Sequence, residues 1–187
     1  SILLVEDSVR YYSTYLPELY RMVLRQSAEF LKETLNEQQR KYMKRSRPKI
    51  LLATNLDDAM SMYEKYKTNL LGVISDVGFC QHRGEKPENE KLDAGLELVR
   101  HIKSDDPKMP ILLQSSQDCI CAVAEELGVG FLRKYSKTLM IQLYDYIKEE
   151  FAFGDFIFRD ADRVEYGRAV NLKELEVLMR EVPEDIL

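Results

Sequence analysis

The chain has no tryptophan and is poor in cysteine and histidine. Its three cysteines, Cys80, Cys119 and Cys121, are odd in number, and the last two lie only two positions apart. This pattern suits neither a disulfide framework nor a zinc ligand set, so we interpret them as reduced thiols. His82 lies in a polar loop and His101 in a helix-like stretch, and we interpret both as solvated side chains rather than zinc ligands.

Long apolar runs and a surplus of basic charge are also missing. No stretch approaches the roughly 18 apolar residues needed to cross a bilayer, and no basic segment precedes the first apolar run. We therefore expect a soluble, cytoplasmic protein with no membrane partner. The formal net charge of -5 predicts no direct binding to nucleic acid. One local basic run is interpreted as a solvated helix end: Arg40, Lys41, Lys44, Arg45, Arg47 and Lys49.

What the chain does contain is a regular alternation of short apolar runs and helix-like stretches. Continuous apolar runs separated by amphipathic helices predict a parallel sheet that is buried on both faces. The sequence therefore predicts an α/β protein with a doubly wound (βα)5 sheet. The five predicted strands are residues 2–5, 50–53, 70–75, 111–114 and 130–132.

The first helix-like stretch is longer than such a domain needs, because it runs from Val9 to about Tyr42. We predict an extended first helix with a helical insertion at about residues 25–47. An apolar stripe through Leu24 and Leu31 has coiled-coil-like spacing and is interpreted as packing, with a homodimer contact or contact with an effector as the open alternatives.

Two further segments exceed a minimal domain. The polar loop at residues 81–95 follows the third predicted strand and is expected to form a flexible rim. Residues 151–187 contain two alternating apolar segments and a helix-like stretch, which predict a short β-hairpin followed by a helix. We interpret them as a C-terminal extension, or the start of a following domain, behind a main domain at residues 1–150.

Polar residues follow four of the five predicted strands. Glu6 and Asp7 follow the first, Asp76 the third, Ser115 the fourth and Lys134 the fifth. The carboxyl ends of parallel strands meet at one edge of a sheet, where ligands bind. Crowded carboxylates resist joint ionisation unless a cation lies among them, and Mg2+ prefers oxygen ligands. The pattern predicts a magnesium site with Asp7 and Asp76 as direct ligands and Glu6 acting through water.

The same residues suit phosphoryl chemistry. A carboxylate that attacks phosphorus needs the charge of its partner neutralised. The metal can do this on one side and Lys134 on the other. Ser115 can offer its hydroxyl to a phosphoryl oxygen.

Four segments, ILLVEDS, VISDVGF, PILLQSS and FLRKYS, occur in this order within about residues 1–150 and resemble the receiver domains of two-component response regulators. The resemblance implies a flavodoxin-like sheet of order 2-1-3-4-5 and a phosphoryl group accepted on Asp76 with Mg2+. It also implies that Gly78 gives a backbone carbonyl to the metal, that Ser115 and Phe131 form a switch, and that Lys134 contacts the phosphoryl group.

The resemblance further implies a signalling module that catalyses only its own phosphotransfer and dephosphorylation. Its partners would be a cognate histidine kinase or phosphotransfer protein, and an output domain or partner protein. Residues 11–49 and the tail segment FGDFIFRD also look like receivers fused ahead of phosphoenolpyruvate synthase or pyruvate phosphate dikinase-like modules.

Two positions depart from the receiver pattern. Glu6 stands where aspartate is commoner, and Tyr135 follows Lys134 where proline is usual, which puts the cis peptide of that loop in doubt. A pseudo-receiver that binds partners without phosphorylation is therefore one alternative. A magnesium-dependent phosphohydrolase is the other, although its nucleophile usually lies in an Asp-x-Asp sequence after the first strand.

Overall fold

The computed structural model describes residues 1–33, 47–151, 156–160, 164–169 and 172–181. These residues fall into two compact units, which divide the chain as Ser1–Met22 with Pro48–Tyr146, and Val23–Arg47 with Ile147–Leu187. The expected domain division at residue 150 and the insertion at about residues 25–47 stay predictions. The end of the predicted first helix and most of the basic run lie outside the described residues.

Five parallel strands form one sheet in the first unit, with the order β2-β1-β3-β4-β5. This order confirms the predicted doubly wound, flavodoxin-like (βα)5 fold. Every residue of β1 and β4 is buried, as expected of strands covered on both faces. The strands are β1 (Ile2–Val5), β2 (Ile50–Ala53), β3 (Gly72–Asp76), β4 (Ile111–Ser115) and β5 (Gly130–Arg133).

Helices follow each of the five strands. The first is continuous through Pro17, which confirms the extended first helix. Asn55 begins the second by accepting a hydrogen bond from the backbone N–H of Asp58 at 2.8 Å. In the described part of the chain, no helix is long and apolar enough to cross a membrane. The helices are α1 (Val9–Glu33), α2 (Leu56–Tyr66), α3 (Ala94–Asp105), α4 (Cys119–Glu126) and α5 (Leu139–Glu149).

One apolar cluster packs β1, β3 and β4 against α2, α3 and α4. It includes Leu3, Tyr63, Leu98 and Leu113, all of them buried. The phenol of Tyr63 donates a hydrogen bond to Asp105 at 2.9 Å, so its polar end is satisfied at the edge of the core. This packing fixes the strands relative to one another and therefore fixes the positions of the residues at their carboxyl ends.

The long loop after β3 is closed at its neck by an antiparallel bridge between Phe79 and Lys91. Each residue donates its backbone N–H to the carbonyl of the other, at 3.2 and 3.1 Å. On its other side, the loop is held to the start of α2, where His82 Nδ1 lies 2.6 Å from Asp57 Oδ2. The loop that the sequence predicts as a rim thus has a fixed neck beside the end of β3.

The second unit contains an antiparallel hairpin of β6 (Phe156–Arg159) and β7 (Glu165–Ala169), followed by α6 (Leu172–Glu181). This arrangement confirms the predicted hairpin and helix. Within this unit, Arg168 lies 2.8 Å from Glu165 and also pairs with Glu149. A side chain at Gly167 would overlap Leu178, because β7 and α6 are closely packed.

Candidate functional site

The strand ends bring the five predicted polar residues together at the carboxyl edge of the sheet. In the register of the sheet, Val5 pairs with Ser75, which places Glu6 beside Asp76. Likewise Ser115, the last residue of β4, pairs with Arg133. A cleft of about 250 Å³ opens at this edge. Its lining includes Asp7, Asp76, Gly78, Ser115 and Lys134.

Three carboxylates form the acidic part of the site. Glu6, Asp7 and Asp76 each present an oxygen, and these oxygens lie within 4.8 Å of one another. The side chain of Glu6 is almost fully buried, with 1% of its surface exposed. Its Oε1 atom accepts a hydrogen bond from the backbone N–H of Ser8 at 3.2 Å. Oxygen atoms at this spacing can surround one small cation.

Lys134 supplies the positive charge. Its backbone N–H donates to the carbonyl of Ser115 at 3.0 Å, which places the residue at the end of β5 beside β4. The ammonium lies 2.9 Å from Glu6 Oε2 and pairs with Asp76 Oδ2. Burial lowers the pKa of Lys134, but the charges of Asp76 and Glu6 outweigh burial and leave that pKa above its ordinary value.

All three carboxyl groups of the cluster hold their protons more tightly than usual. Burial, followed by the charge of Asp76, raises the pKa of Glu6 to about 7, against the opposing effect of Lys134. Burial and the Asp76 charge also raise the pKa of Asp7. Burial raises the pKa of Asp76 even though Lys134 lowers it. One ammonium therefore does not neutralise the cluster.

The carboxylate of Asp76 is oriented by its own backbone. Its Oδ1 atom accepts a hydrogen bond from the N–H of Val77 at 2.7 Å. The next turn is held by α3, because Gly95 N–H donates to the carbonyl of Val77 at 2.8 Å. A Cβ atom at Gly95 would overlap the carbonyl oxygen of Asp76 and lie 2.8 Å from Val77 Cα. Only glycine at position 95 allows the start of α3 to approach the end of β3 this closely.

The two predicted switch residues occupy different surroundings. Ser115 is buried at the cleft, and its hydroxyl oxygen accepts a hydrogen bond from the backbone N–H of Gln117 at 3.1 Å. Phe131 lies on β5, partly buried against the apolar cluster of the sheet. The structure therefore places Ser115 at the site and Phe131 beside it in the core rather than in the cleft.

Two tyrosines lie beside the lysine: Tyr11, which the sequence reasoning missed, and Tyr135, which it noted only as a departure from the receiver pattern. The ring of Tyr11 lies under the ammonium of Lys134, 4.2 Å from nitrogen to ring centroid. Tyr135 meets Tyr11 edge to face, with centroids 6.2 Å apart. The Lys134–Tyr135 peptide is trans, since the described residues contain no cis peptide.

Glu90 is a further residue of the site that the sequence reasoning missed. It comes from the long loop and lines the same cleft as Asp7 and Asp76. Burial, and then the charges of Asp7 and Asp76, raise its pKa. No spacing in the sequence indicates this position, because it depends on the bridge that closes the loop.

The remaining candidates lie away from the site. His82 pairs with Asp57, and His101 Nε2 lies 3.0 Å from Glu64. Each histidine therefore has a carboxylate partner on the protein surface. The three cysteines are free, with Cys80 buried and Cys119 exposed.

The donor set fits a hard divalent cation. Its side-chain ligands are all carboxylate oxygens, which Mg2+ prefers, and one or two carboxylates together with phosphate oxygens and waters are its typical ligands in proteins. The raised pKa values of Glu6, Asp7 and Asp76 reflect a cluster that an additional positive charge would stabilise. Asp7 and Asp76 line the cleft whereas Glu6 is almost fully buried, so Asp7 and Asp76 are the residues best placed for direct ligation.

Comparisons with known proteins identify the fold. No family model matches the chain, and no curated protein matches it in sequence. Solved structures do match. A response regulator receiver protein from Sinorhizobium medicae WSM419 is 18% identical with a TM-score of 0.53, over 81% of this chain and 93% of that chain. A response regulator receiver domain protein from Clostridium thermocellum is 20% identical with a TM-score of 0.50, over the same shares of the two chains. The chain therefore has the fold of a receiver domain.

Proposed function

We propose that this chain is a receiver that accepts a phosphoryl group on Asp76 with the help of Mg2+ and changes its surface in response. The observation that carries the proposal is the position of Asp76. Its carboxylate lies between two further acids, Glu6 and Asp7, and the buried ammonium of Lys134, at the edge of a receiver fold. The donor would be a phosphohistidine on a kinase or phosphotransfer protein.

The residues can perform the transfer without another nucleophile. A carboxylate oxygen of Asp76 attacks phosphorus as the bond from phosphorus to the donor nitrogen breaks. The electron pair stays on that nitrogen, which takes up a proton. Lys134, already paired with Asp76, neutralises charge on the phosphoryl oxygens. The hydroxyl of Ser115, which lines the cleft, donates a hydrogen bond to one of these oxygens. Water attack on phosphorus later restores the carboxylate and releases inorganic phosphate.

Asp7, Asp76 and the backbone carbonyl of Gly78 would hold the metal, with Glu6 acting through water. When bound, Mg2+ supplies charge neutralisation for the phosphoryl oxygens. The chain's own contribution is to hold Asp76 in place. The Val77 N–H fixes one carboxylate oxygen, and the close approach of Gly95 fixes the backbone.

Phosphorylation would then move Ser115 toward the new phosphoryl oxygens, because these are strong hydrogen-bond acceptors. The inward movement of Ser115 frees space for the ring of Phe131, which changes the surface around β5 and the neighbouring helices. An output domain or partner protein would read this change. Hydrogen exchange with and without beryllofluoride tests the step, and unchanged protection around Ser115 and Phe131 would count against it.

Incubation with acetyl phosphate and Mg2+, followed by intact mass measurement, tests the phosphoacceptor. We expect one added phosphoryl group in the wild type, none in Asp76→Asn, and one in the matched control Asp145→Asn, whose carboxylate is exposed on α5. A phosphoryl adduct that persists in Asp76→Asn would overturn the assignment. Absence of any adduct in the wild type, with Mg2+ bound, would favour the pseudo-receiver.

Fusion to a phosphoenolpyruvate synthase-like module stays a prediction that no comparison supports.

A further inference from the structure

Glu90 occupies a fixed position at the acidic site although it belongs to the long loop after β3. The residue directly follows a short 3-10 helix, Pro87–Asn89, and directly precedes Lys91. Lys91 is bridged to Phe79, two positions after Val77. The backbone on both sides of Glu90 is therefore held in place. The bridge brings Glu90 close to the residues that follow Asp76 in the chain.

The side chain of Glu90 points to the cation site rather than to a basic partner. Its carboxylate lies directly against Gly78, so closely that a Cβ atom at position 78 would overlap Oε1. It also lines the cleft with Asp7 and Asp76. Among the described residues, no lysine or arginine forms an ion pair with Glu90. A fourth acid thus faces a cluster that already has more negative than positive charge.

We propose that Glu90 is an additional cation ligand of this site, acting through one water, and that it favours the metal-loaded form without phosphate over the phosphorylated form. The inference rests on the proposed function, because it assumes that Asp7 and Asp76 bind the cation. Its carboxylate adds charge and an oxygen donor beside Gly78, where the metal is expected.

The proposal predicts opposite effects of Glu90 on two affinities: a higher affinity for the cation and a lower affinity for a phosphoryl group or its mimic. A fourth carboxylate attracts the cation when no phosphoryl group is present. Once Asp76 carries a phosphoryl group or beryllofluoride, the same carboxylate repels the added negative charge at short range. General damage to the site would weaken both kinds of binding, so opposite changes distinguish a ligand from a merely structural residue.

The test uses calorimetric titration, since the chain has no tryptophan to report on the site. We compare Glu90→Gln with the matched control Glu88→Gln, whose carboxylate is exposed in the same loop. Glu90→Gln should bind Mg2+ about fivefold more weakly in the absence of phosphate. At saturating Mg2+, it should bind beryllofluoride more tightly than the wild type. Glu88→Gln should match the wild type in both titrations.

A second variant displaces the same carboxylate by changing the residue that it packs against. Gly78→Ala keeps the backbone carbonyl but places a methyl group where Glu90 Oε1 lies, so the carboxylate must move away. We expect weaker Mg2+ binding, as in Glu90→Gln, and little further loss in the double variant. Unchanged Mg2+ affinity in Glu90→Gln, or weaker binding of both Mg2+ and beryllofluoride, overturns the inference. Failure of the wild type itself to bind Mg2+ would instead overturn the proposed function.

Discussion

The buried carboxyl of Glu6 makes the stability of the protein depend on pH in an unusual direction. Its pKa is raised from 4.5 to about 7 by burial and by the charge of Asp76. A group whose pKa is higher in the folded state stabilises the fold while it is protonated. That contribution is complete below about pH 4.5 and is lost as the pH rises through 7.

The magnitude follows from the size of the shift. Each pKa unit corresponds to about 1.4 kcal/mol, so the shift of Glu6 corresponds to about 3 kcal/mol of unfolding free energy. Solvent screening reduces this little, because only 1% of the Glu6 side chain is exposed. Other groups also titrate in this range, so the quantity to measure is the difference between the wild type and Glu6→Gln.

Urea unfolding followed by circular dichroism measures this difference, in chelator, at pH values from 4 to 8. We expect the unfolding free energy of the wild type, relative to Glu6→Gln, to fall by about 3 kcal/mol across that range. Glu88→Gln provides the control, because it removes an exposed carboxylate outside the cluster. A difference that stays constant with pH would refute the reasoning. Added Mg2+ should stabilise the wild type more at pH 8 than at pH 5, since it binds the ionised carboxylates.

Variants at three further positions test the packing around the site. Gly95→Ala should lower the unfolding free energy by about 1 to 3 kcal/mol in urea titrations, since its Cβ would overlap backbone atoms at the end of β3. Tyr11→Ala should slow phosphorylation by acetyl phosphate several-fold while Tyr11→Phe keeps the rate, because the ring and not the hydroxyl lies against the ammonium. Tyr15→Phe should raise the unfolding free energy by about 1 kcal/mol, because the buried phenol has no hydrogen-bond partner among the described residues. An unchanged or lower stability of this last variant would indicate that the hydroxyl is satisfied.

The sheet and its polar edge could be predicted because their signals are local. Short apolar runs specify buried parallel strands, and the residue after each run lies at the carboxyl edge whatever the rest of the chain does. The observed strand boundaries differ slightly from the predicted ones. The third strand was expected at residues 70–75 and lies at Gly72–Asp76, because the 3-10 helix Lys67–Asn69 leads the chain through Leu70 before the strand begins.

The residues that the sequence did not reveal depend on contacts between distant segments. Glu90 reaches the site only because Phe79 and Lys91 pair across the loop, and no periodicity marks that pairing. Gly95 looks like an ordinary helix residue until the backbone of Asp76 is seen against it. Such positions require the tertiary structure, since their neighbours in space are far away in sequence.

The tyrosine that replaces the usual proline after Lys134 leads to a different means of holding the lysine. The peptide is trans, and the ammonium is nevertheless paired with both Glu6 and Asp76. Its backbone N–H is anchored to Ser115, and the ring of Tyr11 covers its outer side. Tyr135 packs edge to face on that ring, so the residue that departs from the receiver pattern supports the residue that covers Lys134. The position of the lysine is therefore determined by the acidic cluster and by the ring of Tyr11, on which Tyr135 packs.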